Sequence, residues 1–225
     1  MRRLLAEGAF VLAADRNEAA LDQLAAEGAD PLAVDLSTQG GQSALVESVA
    51  DIDFLVNAAG IIRIEPIGTV EVSNWREIFA VNVEAVFYLC QALASRFNNG
   101  GAIVNVASMA AKTGEVEAAA YAASKAAVLS VTRSFAVLLA PTGVRVNSVS
   151  PGIIDTPMQG LILPAFAQLH ATSPEQFQAE RLQRVPLGRA GSAEEVASAI
   201  HFLLSDGASY ITGEDVNVSG GLVYW

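Results

Sequence analysis

Short runs of apolar, mostly β-branched residues alternate along the chain with longer alanine-rich stretches in which apolar positions recur every three or four residues. That alternation predicts repeated strand–helix units around a parallel sheet. Strands are expected over 9–14, 32–34, 54–56, 102–106, 145–149 and 216–218. These runs are apolar on consecutive positions, as in strands covered by helices on both faces. Helices are expected over 18–27, 41–49, 73–97, 119–139 and 193–204. Ser73 or Asn74 stands where a cap is wanted for the third, and Ser192 followed by Glu195 reads as a capping box for the last. No repeat, charge block or low-complexity linker divides the sequence, so one doubly wound, three-layer α/β domain over 1–225 is expected. The alternation breaks at 152–189, which follows a strand end and holds Pro157, Pro164 and Pro174. Open α/β sheets bind ligands at the carboxyl ends of their strands, so this excursion is expected to act as a lid; the plainer alternative is one or two surface helices with no part in binding.

Composition narrows the partners. The 225 residues are 52% apolar and only 16% charged, with a formal net charge of −11. An acidic field repels phosphate, which argues against nucleic-acid or anionic-membrane partners. Charged residues interrupt every apolar run before ~18 residues, so no spanning helix is expected, and the first ten residues lack a signal-peptide core. Cys90 is the only cysteine and has no partner for an internal disulfide, which fits a reducing, cytoplasmic setting. So few charges on so apolar a chain also suggest buried subunit faces and a homo-oligomer. His170 and His201 show no ligand spacing, and no metal is predicted.

The chemistry-bearing residues fall on strand ends and helix faces. Tyr121 and Lys125 are four apart in AAAYAASKAAV and share one face of a strong helix former. An ammonium near a phenol favours the phenolate, so the tyrosine is expected to titrate below its ordinary ~10 and to exchange protons with an alcohol or carbonyl oxygen. Taken alone, such a pair is more simply a packed tyrosine and a solvated lysine. Its company changes the balance. Ser108 closes GAIVNVAS thirteen residues before Tyr121, Asn57 closes DFLVN and runs into Ala58-Ala59-Gly60, and Asn82 interrupts an apolar helical stretch. Further on, NSVSPGIIDTPM follows a strand, with Pro151-Gly152 turning the chain and Thr156 offering a hydroxyl.

The ordered set NAAG (57–60), Asn82, Ser108, YAASK (121–125) and NSVSPG (147–152) resembles the short-chain dehydrogenase/reductase family, over nearly the whole chain. The resemblance implies a Rossmann-type fold and hydride transfer between a nicotinamide dinucleotide and a secondary alcohol or ketone. It implies Asn82, Ser108, Tyr121 and Lys125 as the catalytic set: Tyr121 as general acid/base, Lys125 tuning it and holding ribose hydroxyls, Ser108 bonding the substrate oxygen, and Asn82 anchoring a relay water. It further implies cofactor contacts from Asp15, Arg16, Asp35, Leu36, Asn57, Ala58, Gly60, Tyr121, Lys125, Pro151, Gly152, Ile154 and Thr156. A carboxylate at Asp15 accepts from ribose hydroxyls and repels a 2′-phosphate, which favours NAD; Arg16 beside it keeps NADP open. A tetramer is the first expectation and a dimer the second. The short span between Asp35 and Asn57 fits members acting on sugars, polyols or small hydroxy acids, while VNAAGIIR and DTPMQ look like the branch oxidising a dihydrodiol of benzoic acid. Pocket walls are expected from 110–116 and from Ile153, Met158, Leu161 and Phe166, residues that serve equally well as core. One departure stands out: the family's first strand and glycine-rich phosphate turn have no counterpart, and Met1 falls within the helix that follows them. An upstream start, a sheet closed up or completed by a partner, or a catalytically silent scaffold that has lost cofactor binding would each account for it.

Overall fold

Two parallel ladders organise the chain, whose computed structural model describes residues 1–224. β1 (Leu12–Asp15) pairs with β2 (Asp30–Ala33), while β3 (Ile52–Asn57), β4 (Phe97–Val106), β5 (Arg145–Pro151) and β6 (Asp215–Val218) lie side by side in chain order. Pro31 sits within β2, which has only one neighbour, so its missing N–H costs no ladder bond on the open side. Among the described residues no ladder joins β1 to β3, although Leu12, Ala14 and Leu55 pack into one apolar cluster. That break falls where the resemblance puts the strand without a counterpart here.

The helices are α1 (Arg2–Ala6), α2 (Glu18–Ala26), α3 (Gln39–Glu47), α4 (Val72–Phe79), α5 (Ala85–Leu93), α6 (Ala119–Leu139), α7 (Pro157–Leu169), α8 (Pro174–Gln183) and α9 (Ala193–Leu204). Alternate residues of β4 point to opposite faces. Ile103 meets Val86 and Cys90 of α5 and Phe135 and Leu139 of α6, whereas Ala102 and Val104 meet Leu203 and Leu204 of α9, with Leu4 of α1 alongside. Helices therefore cover both faces, which gives three layers and explains why the strand runs lack polar alternation. The 119–139 and 193–204 helices stand as expected, and the Ser192–Glu195 box is formed in both directions.

Several expectations are corrected. The stretch 73–97 is not one helix: α4 begins at Val72 and gives way to a π-helical turn, Ala80–Glu84, before α5, and Phe97 already belongs to β4. The turn accommodates Asn82, whose side chain reaches out of the helix for a backbone partner. Neither Ser73 nor Asn74 caps α4; its N-cap is Glu71, and Asn74 donates instead to Glu65 at 2.6 Å. The excursion folds as α7 and α8, with Pro164 inside α7. Val72–Arg96 and Ala119–Thr142 do have the length and apolarity of a membrane span, contrary to expectation. Both carry core residues packed on the sheet, so their apolarity serves the interior.

Ile103 is fully buried between β4 and α6. Replacing Ile103 by Ala is expected to lower stability by about 2–5 kcal/mol, read as a lower urea midpoint at unchanged slope.

Candidate active site

The inward stripe of α6 builds the site. Ser124, Lys125, Val128, Thr132, Phe135, Ala136 and Leu139 are its buried residues along this face, and Tyr121 stands one turn ahead of Lys125 on it. The apolar members dock α6 on β4 and β5, which drives Lys125 into the interior with them. Its Nζ donates to the Val106 carbonyl, the last residue of β4, at 2.8 Å and lies 5.8 Å from the Tyr121 ring centre. Two residues beyond Val106, Ser108 sits in extended backbone at the carboxyl edge of the sheet. Its hydroxyl accepts from Ala110 N at 3.2 Å and is near enough to the Tyr121 phenol to favour the ionised form.

Electrostatics in this cluster run against one expectation. Burial holds the Tyr121 phenol above its ordinary range, and the nearby Ser108 hydroxyl only partly offsets that. Lys125 does not overcome it, because the ammonium turns to a carbonyl and is itself pushed down to about 8 by burial. In this state the tyrosine is a neutral phenol and the lysine a weakened base. The cluster is poised to donate a proton, and any added positive charge in the cleft would favour the phenolate.

Asn82 draws the neighbouring loop into the same place. Its Oδ1 accepts from Ile61 N at 2.8 Å, and its two amide hydrogens go to Ile61 O and Ser124 Oγ, each at 2.9 Å. Ser124 in turn donates to the Tyr121 carbonyl at 2.7 Å. The loop after β3 is thereby fixed to α6, and Gly60 lies so close that a Cβ there would stand 3.3 Å from Lys125 Nζ. With its amide hydrogens committed, a relay water on Asn82 would have to be held by an oxygen of that residue.

The expected cofactor residues divide into two groups. Asp15 at the end of β1 and Asp35 just after β2 are exposed, their Oδ1 atoms accepting from Asn17 N and Ser37 N at 2.9 Å. Arg16 is close enough to help hold the Asp35 carboxyl low, behind the bonds from Ser37 that chiefly do so. Ala58 is exposed, and Thr156 heads α7 without a side-chain capping bond. Others are spent on the fold. Asn57 is buried and donates to Asn105 at 2.8 Å, Leu36 packs in the α3–α5 cluster, and Ile154 is buried with a backbone bridge to Gly191. Pro151 ends β5, and Gly152 is pressed against Ser219, where a Cβ would come within 2.8 Å of its Cα. Of the expected pocket walls, Ile153 is core and Phe166 stacks on Phe177 of α8.

Comparison with known proteins identifies the whole. The description "Enoyl-(Acyl carrier protein) reductase" covers residues 1–223 as a family match. A 3-oxoacyl-[acyl-carrier-protein] reductase of Thermotoga maritima is 38% identical over 96% of this chain and 89% of its own. A 2,3-dihydro-2,3-dihydroxybenzoate dehydrogenase of Escherichia coli is 42% identical over 79% of this chain and 72% of its own. The crystal structure of NAD+-bound xylitol dehydrogenase superposes with a TM-score of 0.89 at 28% identity, over 97% and 91% of the two chains. The chain belongs to the short-chain dehydrogenase/reductase family. As a member of that family it is an oxidoreductase that uses a nicotinamide dinucleotide to move a hydride.

Its residues fit such a cofactor on one count that the fold makes plain. The Lys125 ammonium has three hydrogens and, among the described residues, one protein acceptor in the Val106 carbonyl, beside a loop cleared of side chain at Gly60. Donors remain for a ribose diol. The motifs did not single out Asn105 and Thr132, which carry the chain of bonds from Asn57 across β4 to α6. An asparagine in the middle of an apolar strand run was the available signal.

Because Lys125 titrates lower folded than unfolded, the unfolded chain binds more protons between about pH 8 and pH 10, and stability rises with pH there. In the cofactor-free protein, wild type is expected to gain on Lys125→Met by up to about 3 kcal/mol across that window. Parallel urea titrations at pH 7.5 and 10 check it.

Proposed function

We propose that this member of the family oxidises a small secondary alcohol with NAD, reversibly, through Ser108, Tyr121 and Lys125. The observation that carries the reading is the single cluster in which Ser108, at the carboxyl edge of the sheet, stands near enough to the Tyr121 phenol to favour its ionised form, one helical turn from the buried Lys125 ammonium. A bound oxidised nicotinamide supplies the hydride-accepting carbon and a positive charge that favours the phenolate. Tyr121 takes the hydroxyl proton of the alcohol, or returns it to the carbonyl in the reverse direction. Ser108 holds the substrate oxygen while charge develops on it. Lys125, with one hydrogen on the Val106 carbonyl, has two left for ribose hydroxyls, while Asn82 fixes the loop at Ile61 against α6.

NAD is favoured by the exposed carboxylate of Asp15 at the end of β1, which accepts from a ribose diol and repels a 2′-phosphate. For the substrate we favour a cyclic diol or short polyol, on the likeness to the dihydrodiol and xylitol dehydrogenases and on the polar loop after Ser108, where Thr113 bonds Glu115 and Glu117 bonds His170 of the excursion. We read 1–225 as one domain, with 152–189 as its lid held to that loop by the Glu117–His170 pair. A cytoplasmic homotetramer is the form we favour, from the acidic charge, the lone buried thiol and exposed apolar residues such as Val137, Leu138 and Phe87. Favouring the enzyme over a silent scaffold, the full set of proton-handling side chains stands together.

Assayed against cis-1,2-cyclohexanediol, xylitol and 3-hydroxybutyrate, Tyr121→Phe is expected to lose about 10²–10⁴-fold in kcat while NADH affinity stays within about twofold. Near-normal turnover in that variant rejects the assignment. Wild type is expected to prefer NAD over NADP by at least about tenfold in kcat/KM, a difference of about 1.4 kcal/mol. A preference for NADP overturns the role given to Asp15.

A further inference from the structure

The chain has only two lysines, Lys112 and Lys125, against eleven arginines, and both lysines are inside. Lys125 belongs to the site already described. Lys112 has no part in it, yet its side chain is only 9% exposed. Its ammonium lies 2.6 Å from Asp215 Oδ2 and donates to Asn217 Oδ1 at 2.7 Å. The same carboxylate accepts from Ser148 Oγ through Oδ1 and from Ser150 Oγ through Oδ2, both at 2.7 Å. Ser148 stands opposite Asp215 and Ser150 opposite Asn217 in the β5–β6 ladder, so strand alternation puts all four on one sheet face. That face is the one covered by α6, because Asn105, opposite Ser148, bonds Thr132 there.

Lys112 directly follows the tight turn Met109–Ala111 that Ser108 caps. That turn closes on itself with a few local bonds: Ala110 N to Ser108 Oγ, Ala111 N to Ser108 O, Lys112 N to Met109 O and a longer one from Thr113 Oγ1 to Met109 O. An isolated turn of this size is weak. Ala111 rests on Val128 and Leu129 of α6, and the polar tether of the turn's far end is the Lys112 ammonium reaching down to Asp215 and Asn217 on the sheet. A buried ion pair costs desolvation, and two hydroxyls spent on its carboxylate mark a fully satisfied network.

We propose that Lys112, through Asp215, is a positioning residue for Ser108: it pins the turn so that the hydroxyl stays aimed at the Tyr121 phenol and at a substrate oxygen. The catalytic part of this rests on the reading of Ser108 given above; the anchoring part does not. With its ammonium engaged by Asp215 and Asn217, Lys112 acts by limiting where the turn can go.

Two variants test it, Lys112→Met and the charge-neutral pair Lys112→Met with Asp215→Asn, the second kept because the first leaves a buried carboxylate without its counter-charge. Hydrogen exchange of the intact protein is expected to speed up about tenfold or more at the amides of 110–112 in both, with α6 amides unchanged. Turnover of whichever diol or polyol the wild type accepts is expected to fall about 10–100-fold in kcat with NADH affinity unchanged, and to fall less than about twofold further when added to Ser108→Ala. Unchanged exchange at 110–112 in a folded variant overturns the proposal. So does faster exchange with a loss that adds fully to that of Ser108→Ala, since the pair would then act on something other than the serine. If Tyr121→Phe proves active, the catalytic reading fails by itself, and the exchange result still decides whether Lys112 anchors the turn.

Discussion

A single ammonium buried without a carboxylate governs this structure. Burying a charge is expensive, and ordinarily a partner of opposite sign offsets the cost. Lys125 has a carbonyl instead, at the last residue of β4. Holding an amine there requires that α6 be fixed firmly to the sheet, and the helix's apolar stripe from Val128 to Leu139 does this against Ile103 and Val146. The unfavourable placement of the lysine thus draws on the most ordinary part of the fold, a helix packed on a parallel sheet.

Everything else at the site arrives by reference to that helix. β4 delivers Ser108 at its carboxyl edge, the π-helical turn delivers Asn82, and Asn82 pulls the loop at Gly60 and Ile61 against the same helix. A buried line of amides and hydroxyls, Asn57 to Asn105 to Thr132, locks β3, β4 and α6 in register beneath the cleft. Polar groups inside an apolar core are tolerable only when fully paired, so this line leaves the elements little freedom to slide. Rigidity of the platform and a strained protonation balance above it are two sides of one arrangement.

Much of this was legible in the chain. The strand and helix rhythm gave the layers, and the spacing of Ser108, Tyr121 and Lys125 placed three proton-handling groups at one sheet edge. What escaped was tertiary. Periodicity reads 73–97 as one helix because an inserted turn residue leaves the apolar pattern nearly intact, and only Asn82 within it hints at the interruption. Asn57 reads as a ligand-facing strand end, yet its partner Asn105 lies 48 positions away and turns it inward. The sequence points the tyrosine's shift the wrong way for a related reason: proximity in sequence shows that an ammonium is near, but not that burial outweighs it.

Having only two lysines makes the governing interaction directly observable. Lysine labelled with ¹³C at Cε gives two side-chain signals in the cofactor-free protein, and the one missing from Lys125→Met is the buried amine. Followed with pH, that signal is predicted to titrate near 8. A midpoint at the ordinary lysine value of about 10.4 would contradict the account, because the ammonium would then be solvated or paired with a carboxylate and not buried against a backbone carbonyl.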